Sequence, residues 1–100
     1  MNYFADLLKT WVDVHARDLE SDGISATLAE GPSDRDKRVA WVDLHSATRS
    51  VRLAVWASGE AVLSVGDLTT GAVIAEEQVT LAEPSDLERT IGSAVAWATG

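Results

Sequence analysis

Few residues in this sequence are arranged to do chemistry. His15 and His45 stand far apart and belong to no H-x-x-x-H, H-E-x-x-H or carboxylate-flanked spacing, so they do not offer paired ligands to a metal. His15 edges a helical stripe and His45 ends a strand, which are ordinary structural places for histidine. Glu76 and Glu77 are adjacent carboxylates. Neighbours on a strand point to opposite faces, so the two cannot share one proton-transfer site and read instead as a solvated sheet edge. No G-x-x-x-x-G-K-S/T, G-x-G-x-x-G or G-x-S-x-G occurs, which leaves out the phosphate-cradling loops and the nucleophile elbow. Cysteine is absent, and with it any disulfide, thiol nucleophile or cysteine-built metal site. The expectation is a non-enzymatic protein with no catalytic residues, metal or cofactor, whose chemistry is recognition.

Tryptophan is the residue type that stands out, at four of only six aromatics. Trp11 falls on the apolar stripe of a helix and reads as core. Trp97 falls off the stripe of the last helix, where it either packs at the domain edge or is exposed. Trp41 and Trp56 are placed by strand alternation with Val39, Ala54 and Val62, on a face they share with Asp43, Arg52, Glu60 and Glu76. Large amphipathic rings among charges have the composition of a binding hot spot. The alternative is a different register in which both indoles are core.

The elements that must position these residues follow from periodicity. Phe4, Leu7, Leu8, Trp11, Val12, His15 or Ala16, and Leu19 recur at three- and four-residue steps, the spacing of one helical face, and Ser21-Asp22-Gly23 closes that helix with Gly23 as a left-handed cap. The period then becomes two. Ile24, Ala26 and Leu28 mark a short strand ending in the loop Glu30-Gly31-Pro32-Ser33-Asp34. Lys37 to His45 is a second strand, with Ala40, Val42 and Leu44 on one face and Val39, Trp41 and Asp43 on the other. Ser50 to Trp56 is the third strand, and Ala57-Ser58-Gly59 turns it into the fourth, Glu60 to Asp67, with Gly59 in the left-handed position. That turn pairs Leu53 with Leu63, Val55 with Ala61 and Val51 with Val65. A second turn, Thr69-Thr70-Gly71, leads to a fifth strand, Ala72 to Leu81, placing Val65 opposite Ala75, Asp67 opposite Val73, Ala61 opposite Val79 and Leu63 opposite Glu77. Pro84 ends the strand, Ser85 is the expected helix cap with Glu88 as its capping-box partner, and Leu87, Ile91, Ala94, Val95 and Ala98 form the last stripe. Short loops join adjacent antiparallel strands. The predicted class is therefore α+β: two layers, a five-stranded antiparallel meander with the N- and C-terminal helices on one face, in the order α-β-β-β-β-β-α.

Composition bounds the partners. One hundred residues, 46% hydrophobic and 24% charged, suit one domain spanning 1–100. Sixteen acids against eight bases give a formal net charge of -8, which repels nucleic acid and anionic membranes and favours a cationic protein partner. The excess is concentrated late in the chain, where Glu60, Asp67, Glu76, Glu77, Glu83, Asp86 and Glu88 face one base, Arg89. The start, Met1-Asn2-Tyr3-Phe4-Ala5-Asp6, lacks a basic segment followed by an apolar run, and no uncharged stretch approaches the ~18 residues of a membrane span. A soluble, cytoplasmic protein is the expectation.

The run from Arg49 to Asp67, followed by Thr70-Gly71-Ala72-Val73-Ile74, resembles the TriTu family of small immunity proteins, which accompany polymorphic toxins in bacteria. The resemblance lies in the Trp-Val-Asp-Leu strand, Trp41 to Leu44, and the Trp-x-Ser-Gly-Glu-Ala hairpin, Trp56 to Ala61. It spans about Trp41 to Leu81, with the flanking helices alike only in character, and carries no residue-level active site. It implies a non-enzymatic protein that binds and neutralises a cognate toxin. On that reading the toxin is basic, Trp41 and Trp56 supply apolar contact, Arg52 shares their face, and Asp43, Glu60, Asp67, Glu76 and Glu77 pair with toxin lysines or arginines. The competing reading is a small acidic secretion chaperone or adaptor that holds an extended effector segment. An obligate homodimer would favour the chaperone, a monomer is compatible with the immunity protein, and an adjoining toxin gene would favour the latter.

Overall fold

The computed structural model describes residues 3–31, 39–56 and 58–99. The readings placed on Met1, Asn2, Pro32, Ser33, Asp34, Lys37 and Ala57 lie outside the described residues. The chain runs α1 (Tyr3–Ser21), β1 (Ser25–Glu30), β2 (Val39–His45), β3 (Arg49–Trp56), β4 (Glu60–Asp67), β5 (Val73–Thr80) and α2 (Pro84–Thr99). The strands form one antiparallel sheet in sequence order, β1-β2-β3-β4-β5. This is the α+β meander expected from the alternation.

Helix α1 buries Ala5, Leu8, Val12 and Leu19, while Phe4, Leu7 and Trp11 pack against the core half-buried. Its end is a Schellman closure: Gly23, at φ +81°, donates to the Glu20 carbonyl (3.0 Å) and Ile24 donates to the Leu19 carbonyl (2.8 Å). Leu19 and Ile24 are both buried there, the apolar contact that accompanies this motif.

One face of the sheet is sealed. Ala40, Val42 and Leu44 of β2, Val51, Leu53 and Val55 of β3, and Ala61, Leu63 and Val65 of β4 are almost fully buried with Leu87, Ile91, Ala94 and Ala98 of α2. Helix α1 lies over β1, β2 and β3, and α2 over β2, β3 and β4. The register Val51↔Val65, Leu53↔Leu63 and Val55↔Ala61 is as the hairpin predicts, with Gly59 at φ +94°.

Two local expectations need correction. The β4–β5 ladder carries Val65↔Ala75, Leu63↔Glu77 and Ala61↔Val79 as read, but Gly66, not Asp67, stands opposite Val73. A bulge between Val65 and Gly66 accommodates Ile74 as the extra residue on β5, and a simple alternation cannot reveal an added residue. The second correction is the cap of α2. The helix begins at Pro84, with Asp86 rather than Ser85 as the capping side chain: Asp86 Oδ2 accepts from the backbone N–H of Ala82 (2.9 Å) and Glu83 (3.0 Å). Proline suits the first helical position because its missing N–H would be unpaired there, and that start puts Asp86, two residues further on, within reach of the amides behind it.

These hydrogen bonds hold the Asp86 carboxyl below the ordinary aspartate range, with Arg89 adding a smaller attraction. A carboxylate depressed in the folded state stabilises fully above its unfolded value and loses that contribution as pH falls through the folded one. Thermal melts followed by circular dichroism should therefore show wild type above Asp86→Asn at about pH 5, with the gap closing below about pH 4. A gap unchanged down to about pH 2 would overturn the assignment.

Candidate functional site

The side of the sheet opposite the helices carries the even rows of the meander. One row reads Ala29, Trp41, Ala54, Val62 and Gln78, and the next reads Thr27, Asp43, Arg52, Ser64 and Glu76. Beside the first row Val39 stands opposite Trp56, and Glu60 opposite Thr80. Trp41 and Trp56 are therefore diagonal neighbours on this face, half-buried rather than sealed in the core. A shallow open cavity of about 310 Å³ lies between them, lined by Val39, Trp41, Arg52, Ala54, Trp56 and Val62.

A charged pair borders one of the rings. Arg52 donates to Asp43 through Nε (2.7 Å) and Nη2 (3.0 Å), a two-pronged pair set up by the direct β2–β3 pairing of these residues. The hydrogen bond and the opposite charge push the Arg52 guanidinium above its already high ordinary value. Its Cζ lies 5.5 Å from the Trp41 ring centroid, so the cation borders the indole while the carboxylate holds the cation. An exposed pair of this kind adds at most about 1 kcal/mol to stability. Its larger effect here is to restrict the arginine, and so the surroundings of the indole.

The eight residues singled out from the sequence do not all meet. Trp41, Asp43, Arg52, Trp56, Glu60 and Glu76 share the face opposite the helices. Asp67 and Glu77 alternate to the helix side. Asp67 Oδ1 accepts from the backbone N–H of Thr69 (2.8 Å) and Thr70 (3.3 Å), closing the β4–β5 turn. Glu77 is exposed opposite Leu63, on an edge strand beyond the part of the sheet that the helices mainly cover. Asp43 is engaged by Arg52, and Glu60 and Glu76 are the other carboxylates on this face.

The other two tryptophans are elsewhere. Trp11 borders an apolar groove of about 220 Å³ between α1 and α2, where His15 stacks on it at 4.4 Å and Nδ1 of that histidine bonds the Trp11 carbonyl at 2.9 Å. Trp97 packs half-buried at the end of α2 beneath Arg49, whose Nη1 donates to the Trp97 carbonyl (3.0 Å) and whose Cζ lies 5.4 Å from the ring. Helix α2 has no base in its last turn, and Arg49 of β3 supplies the positive charge that a helix C-terminus favours. Sequence reading missed this contact because its partners lie far apart in the chain. Among the described residues no three His, Asp or Glu side chains converge as a metal site, and no helix is long and apolar enough to cross a membrane.

The family model described as Immunity protein TriTu matches residues 6–97 of the chain. A comparison with curated proteins finds no match.

Proposed function

The chain belongs to the TriTu family of immunity proteins, and on that premise we propose that it neutralises a cognate bacterial toxin by binding it, without catalysis, through the sheet face opposite the helices. The observation that supports this surface is the diagonal pair Trp41 and Trp56, set in small apolar neighbours and sharing a face with carboxylates, on the side that neither helix covers. Interfaces draw most of their affinity from a few aromatic anchors, with surrounding contacts excluding water. Glu60, at the start of β4, follows Trp56 across the hairpin and Glu76 lies on the same face at the β5 edge, and the net charge of -8 draws a basic toxin from a distance. That steering raises the association rate more than it tightens the final complex. Occlusion of a cationic active-site cleft follows from the same complementarity.

The test is co-expression with a cognate toxin domain, sought first in the gene adjoining this one. Wild type should restore growth, and Trp56→Ala combined with Glu60→Lys should abolish rescue while circular dichroism and the melting transition show a folded domain. Full rescue by the folded double variant would remove this face from the mechanism.

A further inference from the structure

Among the described residues nothing pairs with the outer edge of β5, and the register tells which of its backbone groups point outward. Leu81 N–H donates to the Gly59 carbonyl at 2.6 Å. Antiparallel pairs alternate between hydrogen-bonded and non-bonded, so with Glu60↔Thr80 and Ala61↔Val79 next in the ladder, Val79, Glu77 and Ala75 direct their N–H and C=O toward β4. Glu76, Gln78 and Thr80 direct theirs away from the sheet. β5 is the last strand in the sheet order, with no strand beyond it among the described residues.

Edges of this kind are usually blunted by shortness, proline, bulges or charged side chains, and here the charges are Glu76 and Glu77, which oppose an acidic or identical strand but not a basic one. β5 has eight residues and contains neither lysine nor proline. Its bulge is confined to one end, leaving Ala75 to Thr80 in regular register. At the bulged end Val73 and Ile74 are 71% and 41% exposed, with Leu68 exposed nearby in the turn.

We propose that this edge receives an extended, basic strand of the toxin, added to the sheet as a sixth strand. The proposal rests on the toxin-binding reading above and adds a second contact to it. The occupant is chosen by charge. A strand laid along β5 sends its side chains to both faces in alternation, so it meets Glu76 on the open face and Glu77 on the helix side. This is a geometry in which both adjacent carboxylates touch one partner. A second copy of β5 paired about these residues would set carboxylate against carboxylate, and two chains of charge -8 repel besides. Lysines or arginines at neighbouring positions of a toxin strand convert both contacts to attraction, while the exposed valine and isoleucine meet its apolar end.

Hydrogen exchange by NMR, on the labelled chain with and without the inactivated toxin domain identified by the co-expression test, reads the alternation directly. The amides of Glu76, Gln78 and Thr80 should slow on the order of 100-fold in the complex, whereas those of Ala75, Glu77 and Val79 are protected beforehand. Gln78→Pro removes one outward N–H without touching a bond to β4, and it should weaken toxin binding about 10-fold or more. Glu77→Lys, on the side away from Trp41 and Trp56, should weaken binding by a similar factor, and it keeps the test open if the proline variant unfolds. Wild-type affinity in Glu77→Lys, together with fast exchange at the three amides in the complex, would overturn the edge contact and leave the tryptophan face standing. Absence of any complex with wild type would remove both. A toxin-free dimer that protects the same amides and is dissolved by Gln78→Pro would assign the edge to a second copy instead.

Discussion

Trp41→Ala should weaken the complex with the toxin domain by about 30-fold or more, the factor that corresponds to a hot-spot loss of at least ~2 kcal/mol. Trp41 stands in its row between the small side chains of Ala29 and Ala54. Arg52, gripped by Asp43, borders the ring, so little side-chain freedom remains to be lost on binding. Truncation removes the ring and also releases the guanidinium from its neighbour.

The same substitution should leave the domain folded, because Trp41 lies outside the sealed layer made by Val42, Leu53 and Leu63 with the helices. Loss of a partly buried ring is expected to cost about 1–2 kcal/mol of stability. Trp11→Ala is the matched control. Its ring borders the groove between α1 and α2 on the other side of the sheet, so the melting temperature should fall while calorimetric affinity stays within about 3-fold of wild type. Equal affinity for wild type and Trp41→Ala would remove this indole from the interface.

How far the sequence reveals such a surface depends on how local the controlling interaction is. The faces of β2, β3 and β4 are legible because Ala40-Val42-Leu44, Val51-Leu53-Val55 and Ala61-Leu63-Val65 are continuous apolar rows whose alternate positions include Trp41, Asp43, Arg52 and Ser64, and a one-residue slip would expose them all. Gly59 then fixes the hairpin, and with it the placement of Trp56. At Val73-Ile74 the pattern fails, because two consecutive apolar residues fit either face and the bulge chooses between them. The cap of α2 misleads for a similar reason. Serine outranks glutamate as a cap by intrinsic preference, yet Pro84 sets the helix start and Asp86 supplies the acceptor. Asp67 and Glu77 carried the right charge for a cationic partner, but alternation takes them off the tryptophan face, and Asp67 is committed to its own turn. The Asp43–Arg52 pair was implicit in the β2–β3 register, since the two residues stand directly opposite. Arg49 over Trp97 had no such signal, for it joins a strand to a helix through tertiary packing alone.

Gly59→Asn should be among the most damaging single substitutions outside the core, and comparison with Gly71→Asn separates two causes that coincide at Gly59. Both glycines have positive φ, +94° and +76°. Asparagine tolerates such backbone better than most residues, so at Gly71, where an added Cβ meets nothing within 4 Å, the change should cost less than about 1 kcal/mol. At Gly59 the Cβ would sit 2.8 Å from the Leu81 carbonyl oxygen. Leu81 cannot withdraw freely, because its N–H is bonded to the Gly59 carbonyl at 2.6 Å and its side chain is buried. The clash therefore displaces backbone at the point where β5 leaves the sheet toward α2. An overpacking cost of about 1–3 kcal/mol is expected, lowering the melting temperature by on the order of 5–20 °C for a domain of this size. Because Trp56 and Glu60 flank the same hairpin, toxin affinity should fall with stability in Gly59→Asn and stay unchanged in Gly71→Asn. Equal melting temperatures for the two variants would show that the close approach of Leu81 does not constrain this turn.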